Sequence, residues 1–124
     1  MKIGYDCDGV ITIGIVPRKD GIIITGRSYE EEIETKAYLN SLGITNEIHF
    51  NPIPFSSKTR KSSGQWKAAK IKELGITRFI EDDEIQITEI LAINPDIEIV
   101  HVISNLTEKE NVRRDEHGIE IQLK

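Results

Sequence analysis

Four short stretches of this chain hold the residue types that acid–base, metal or phosphate chemistry requires. The first is Asp6-Cys7-Asp8-Gly9-Val10, which places two carboxylates at the end of the apolar run Ile3-Gly4-Tyr5. Open parallel sheets bind their ligands where the strands end, so this pair would stand at the mouth of such a sheet. The same spacing opens a calcium loop, but that loop needs glycine at its sixth position and glutamate at its twelfth. Those positions hold Ile11 and Pro17, and the calcium reading fails. A solvated strand end with a turn glycine is the plain alternative. The second stretch, Thr25-Gly26-Arg27, joins the run Ile22-Ile23-Ile24 to a predicted helix. Backbone N–H groups at a helix start attract phosphate, and a threonine hydroxyl adds a donor; an ordinary strand end is the alternative. The third feature is Lys67, in the first turn of another predicted helix and in line with Ile71 and Leu74. It can reach over the sheet mouth, or lay its stem on the core and extend its charge to water. The fourth is Phe79-Ile80-Glu81-Asp82-Asp83, an apolar strand closed by three acids. Three like charges at one point are unfavourable unless a cation or a lysine neutralises them, which suggests a metal site over a solvated acidic turn.

These residues need elements to position them. The β-branched runs at 22–24 and 97–103, with shorter candidates at 47–50 and 78–81, read as strands. Between them the spacing predicts helices over 29–42, 64–74 and 84–93. The first has Ser28 and Glu31 as a capping box, Gly43 as its stop, and an apolar stripe of Tyr29, Ile33, Ala37, Tyr38 and Leu42. The second has Ser62 and Gln65 as its capping box and Gly75 as its stop, and Asn94-Pro95 ends the third. Leu42-Gly43-Ile44-Thr45 and Leu74-Gly75-Ile76-Thr77 read as one helix-to-strand connection used twice. The alternation predicts an α/β fold, a three-layer α/β/α Rossmann-like arrangement around a mostly parallel sheet. Residues 11–20 leave room only for a hairpin or an irregular flap, whereas a parallel crossover usually takes a dozen or more residues and a helix. The charged stretch 104–124 reads as solvated loop, except that 118–123 alternates and could form an edge strand.

Composition narrows the function classes. A chain of 124 residues is one domain with a single core. Sixteen basic against 21 acidic residues, a net charge of −5, argue against broad nucleic-acid binding through a positive surface, though not against a local basic site. Cys7 is the single cysteine, so no internal disulfide framework exists, and it reads as a small buried filler. No apolar run approaches membrane length and no signal segment is legible, so the expectation is a soluble, cytoplasmic protein with no membrane partner. His49, His101 and His117 have no partners at metal-ligand spacing, and Trp66 reads as core or helix lid.

Taken in order, the four stretches resemble the motifs of the haloacid dehalogenase superfamily over roughly residues 1–103. Asp6-Cys7-Asp8-Gly9-Val10 looks like its first motif, Thr25-Gly26-Arg27 its second, Lys67 its third, and Glu81-Asp82-Asp83 its fourth. The resemblance implies a capless, Mg²⁺-dependent phosphatase that acts through an aspartyl-phosphate. Asp6 would be the nucleophile and Asp8 the general acid and then base. Thr25, Gly26, Arg27 and Lys67 would bind the phosphoryl group. Mg²⁺ would be held by Asp6, by Asp8 through its backbone carbonyl, and by Asp82 or Asp83. The substrate would be a phosphorylated small molecule or nucleotide. The motif Thr25-Gly26-Arg27 before a long helix also looks like the phosphatase half of phage-type polynucleotide kinase/phosphatases. With the loop 51–61, where Phe55 could stack on a base and Lys58, Arg60 and Lys61 meet phosphates, it points to a nucleic-acid-end phosphate as one option. A non-catalytic Mg²⁺- or phosphate-binding module, receiver-like or a structural subunit on the same fold, is the competing class.

Overall fold

The run Ile22–Ser28 becomes the longest strand of a five-stranded sheet in the computed structural model, which describes residues 1–104, 112–114 and 120–122. The strands are β1 (Ile3–Tyr5), β2 (Ile22–Ser28), β3 (Ile48–Asn51), β4 (Arg78–Glu81) and β5 (Glu98–His101). All are parallel, in the order β3-β2-β1-β4-β5, with Gly4 of β1 opposite Ile22 on one side and Phe79 on the other. This is the α/β architecture expected from the sequence, and no inserted cap domain is present among the described residues.

Side chains alternate across the sheet because successive residues of a strand point to opposite faces. Ile23, Ile3, Tyr5 and Ile80 pack with Leu39 and Ile44 on one face; Leu39 lies on α1 (Glu32–Ser41) and Ile44 just beyond it. Ile22, Ile24 and Phe79 pack on the other face with Ala68 and Ile71 of α2 (Arg60–Leu74) and Ile90 of α3 (Glu84–Ile93). The sheet is therefore covered by one helix and the chain of 10–15 on one side, and by two helices on the other. No described helix is long and apolar enough to cross a membrane.

Several local expectations change. The first helix begins as a 3₁₀ turn at Tyr29–Glu31, with the backbone N–H of Ser28 donating to Glu31 Oε2 at 2.8 Å as the capping box requires. Its apolar stripe, however, does not face the sheet. Ile33 is 86 % exposed, Tyr29 and Leu42 are more than half exposed, and the buried residues are Thr35 and Leu39. Periodicity identified the helix but not its inward face, because a threonine takes the position against the sheet. The second helix starts a turn earlier than expected. Thr59 is its N-cap, accepting from the backbone N–H of Ser62 while Ser62 Oγ accepts from that of Thr59. Gly64 consequently lies inside the helix, where a Cβ would stand 2.8 Å from Gln86 Cα. That glycine permits the close packing of α2 on α3.

The β1-to-β2 connection crosses in parallel without an α-helix, using only a 3₁₀ turn at Ile11–Ile13. It is pinned instead by side chains: the Arg18 N–H donates to Tyr5 Oη, and Asn46 Nδ2 donates to the carbonyls of Arg18 and Gly21. The alternation at 118–123 gives β7 (Glu120–Gln122). It pairs antiparallel with β6 (Val112–Arg114) in a separate two-stranded ribbon rather than edging the main sheet. β6 falls in a stretch expected to be loop. The remaining residues of the tail, 105–111, 115–119 and 123–124, lie outside the described residues.

Candidate active site

Where β1 ends, the Asp6 N–H still donates to Ile80 O at 3.0 Å, so Asp6 leaves the sheet beside the end of β4. The chain then turns sharply. The carbonyl of Cys7 accepts from the N–H groups of Val10, Ile11 and Thr12, and the Gly9 N–H donates to Thr12 Oγ1. Gly9 has φ +80°, a conformation that costs glycine little. A Cβ at Gly9 would lie 2.0 Å from Asp82 Oδ2. The glycine of the Asp-x-Asp-Gly motif is therefore what lets the acidic end of β4 close on the first loop.

The centre of the site is a buried ionic cluster. Lys67 projects from α2 and is 1 % exposed; its Nζ lies 2.8 Å from Asp6 Oδ1 and 2.7 Å from Glu81 Oε2. Glu81 is fully buried, and its other oxygen accepts from the backbone N–H groups of Asp82 and Asp83. Burial works against the charge on Lys67, but Asp6 and Glu81 outweigh it and hold the ammonium above its ordinary range. Glu81 is pushed the other way for a carboxyl: burial and then neighbouring Asp6 raise it well above the usual carboxylate range, against the pull of Lys67. One cation thus serves two buried acids. Asp82 completes the cluster: Asp6, Glu81 and Asp82 each offer an oxygen within 4.8 Å of the others. Such an all-oxygen donor set suits a hard divalent cation such as Mg²⁺.

The second ionic group lies at the rim. Arg27 Nε and Nη2 donate to both oxygens of Asp8, at 2.9 and 2.8 Å, and Nη1 donates to Thr35 Oγ1 at 3.0 Å. The Asp8 side chain is 59 % exposed. Its partial burial would raise the carboxyl, but the Arg27 fork prevails and holds it below its ordinary value. Thr25 is buried and its Oγ1 accepts from the Arg27 N–H, which leaves the hydroxyl proton to donate. Gly26 lies against Ser63 and the stem of Lys67, so the second motif and the third meet above the sheet. Cys7, fully buried between the two acids, is pushed up to about 12 by burial and then by Asp8, and its thiol stays protonated.

Of the candidates read from the sequence, Asp6, Lys67 and Asp82 converge, Gly26 borders them, and Asp8 and Arg27 pair with each other; Thr25, Gly26 and Arg27 lie within β2 rather than at a helix start, because the strand runs on to Ser28. Asp83 is placed elsewhere. It caps α3 by accepting from the Ile85 N–H and takes a bidentate pair from Arg60 at 2.9 and 2.8 Å. Burial opposes its charge, but Arg60 holds it below the ordinary carboxylate range. Between the two acids left open as a metal ligand, the geometry brings Asp82 to Asp6 and turns Asp83 to α2 and α3. The loop cations are likewise engaged: Arg60 belongs to the first turn of α2, and Lys58 Nζ donates to Gly26 O and Glu31 Oε2. Phe55 stays 63 % exposed, with Lys58 Nζ 5.0 Å from its ring centre.

Glu81 was named in the acidic stretch but given no role of its own, and Thr35 was not singled out. Glu81 could have been found, since it is the first acid after an apolar strand and must point inward if Asp82 points out. Thr35 carried no signal beyond being a polar residue in a helix. A concavity of about 310 Å³ between α1 and β3, lined by Leu39, Ile44 and Ile48 among others, lies at the start of β3 and away from this chemistry. Compared with family models, curated proteins and solved structures, the chain matches none.

Proposed function

We propose that the chain is a capless phosphomonoester hydrolase of the haloacid dehalogenase type, dependent on Mg²⁺ and acting through an aspartyl-phosphate. The observation that carries this reading is the convergence of Asp6, Lys67, Glu81 and Asp82 at the ends of the two central strands. Lys67 holds Oδ1 of Asp6, so Oδ2 is the oxygen that the lysine leaves for attack on phosphorus. The P–O bond to the leaving group breaks, Asp8 supplies its proton, and a phosphoryl group remains on Asp6. In the second half-reaction water attacks phosphorus, Asp8 takes a proton from it, and the bond to Asp6 breaks to release inorganic phosphate. Thr25, through its hydroxyl proton, binds a phosphoryl oxygen, and Lys67 offsets charge gathering on the group. Asp6 and Asp82 would hold Mg²⁺, with Glu81 behind them, because both Glu81 oxygens already have partners. The ion, when bound, offsets repulsion between anionic nucleophile and anionic substrate.

The substrate class is a phosphorylated small molecule or nucleotide, with a nucleic-acid end as an option that exposed Phe55 beside the second motif supports. The test is phosphate release from an aryl phosphate with and without Mg²⁺, for wild type beside Asp6→Asn. Mg²⁺-dependent release that Asp6→Asn abolishes is expected; release retained by the variant sinks the assignment. One observation favours the competing reading of a non-catalytic Mg²⁺- or phosphate-binding module: both oxygens of Asp8 are occupied by Arg27. That reading expects Mg²⁺ binding without turnover.

A further inference from the structure

A fully buried threonine on the inward face of α1 needs a reason, because an apolar residue there would bury more favourable surface. Its hydroxyl accepts from Arg27 Nη1, at 3.0 Å. Arg27 in turn grips both oxygens of Asp8, whose side chain is otherwise mostly in solvent. The guanidinium is planar, so fixing Nη1 on a buried hydroxyl fixes the plane in which Nε and Nη2 present themselves to the carboxylate. A surface carboxylate on a short loop is thereby tied to the rigid interior of a helix through one side chain.

We propose that Thr35 and Arg27 are positioning residues that hold Asp8 for the second half-reaction, the attack of water on the aspartyl-phosphate. The inference rests on the phosphatase reading above. The water oxygen bonds to phosphorus, its proton passes to the Asp8 carboxylate, and the bond from phosphorus to Asp6 breaks. A carboxylate gripped at both oxygens is constrained in direction as a proton acceptor, and small misplacements of such groups cost rate. The first half-reaction with an aryl phosphate needs little help from an acid, because the leaving group departs readily.

The test is rapid-mixing kinetics of p-nitrophenyl phosphate with Mg²⁺ for wild type, Thr35→Val, Thr35→Ser and Arg27→Lys. Thr35→Val is expected to release about one equivalent of nitrophenol at the wild-type rate and then turn over about tenfold more slowly, and Arg27→Lys, which loses the fork itself, to lower the steady rate at least as much. Thr35→Ser, which restores the hydroxyl, should return the steady rate to near wild type. A burst and steady rate that fall together would mean a merely structural role and would overturn the proposal. So would an unchanged or raised steady rate, or a Thr35→Ser protein no better than Thr35→Val. Wild type without Mg²⁺-dependent phosphate release would defeat the phosphatase reading and, with it, the kinetic role. The relay itself would then be judged by hydrogen exchange at Arg27 Nε–H, measured by NMR. Protection above that of surface Arg18, lost in both Thr35→Val and Asp8→Asn, supports the tether, whereas protection unchanged in Thr35→Val refutes it.

Discussion

Two cation–carboxylate groups stand a few residues apart at the same end of the sheet, and they differ in nearly every physical respect. Lys67 with Asp6 and Glu81 is sealed in the interior, whereas Arg27 with Asp8 lies at the rim with the carboxylate mostly in water. In the first, no solvent replaces a lost partner, so fold and, on the proposed reading, chemistry depend on the same atoms. In the second, water screens the pair, and its loss should be felt in chemistry more than in stability. A site can thus combine an interior part that the fold cannot do without and a rim part that is free to be tuned.

The largest expected effect breaks the interior group. Lys67→Met would leave Asp6 and Glu81 buried without their cation, and a broken buried pair costs about 3–5 kcal/mol. Urea unfolding should show that loss, together with loss of any phosphatase activity; a variant as stable as wild type would mean that the cluster is not sealed. Adding Glu81→Gln to Lys67→Met should recover part of the stability, since it removes one of the two stranded acids.

An intermediate effect comes from Asp83, buried like the first group but paired to an arginine like the second. Asp83→Asn should cost about 1–2 kcal/mol, from the weakened Arg60 pair and the weaker cap of α3. The pH dependence has a definite sign. The folded protein holds the Asp83 carboxyl below its ordinary value of 3.8, so its stabilisation is fully present above that pH. It is lost as pH falls further, through the folded value. Thermal melts of wild type and Asp83→Asn should therefore differ near neutrality and converge in acid. Curves that stay parallel into acid would show that Arg60 does not set the ionisation of Asp83.

The smallest expected effect on stability sharpens the contrast. Asp8→Asn should leave unfolding free energy within about 0.5 kcal/mol of wild type, as exposed pairs usually do, while turnover falls sharply. A stability loss comparable to that of Lys67→Met would show that rim and interior are one cooperative unit.

Much of this was legible in the chain, and the exceptions have common causes. Strand positions followed from β-branched runs, and the helix stops at Gly43 and Gly75 from their left-handed conformations, φ +75° and +69°. The inward face of α1 was misread because Tyr29, Ile33 and Leu42 form an apolar stripe by spacing, while burial went to Thr35 and Leu39. The start of α2 was misread because Ser62 can be an N-cap or the third residue after one, and only the extended backbone of Thr59 decides between them.

By itself the sequence determined that acids would stand at the ends of strands, since an apolar strand running into Asp or Glu leaves the carboxylate where the sheet opens. It also put a lysine on the second long helix in line with its core stripe, but in the first turn, whereas α2 begins at Arg60 and Lys67 stands midway along it. Only the tertiary structure decided the partners. Glu81 points inward to Lys67, Asp82 joins Asp6 across the space that Gly9 leaves open, Asp83 turns to Arg60, and Asp8 goes to Arg27. Three adjacent acids are equivalent as letters. They become different when strand alternation buries one, a helix N-terminus captures another, and the remaining one is left at the mouth of the sheet.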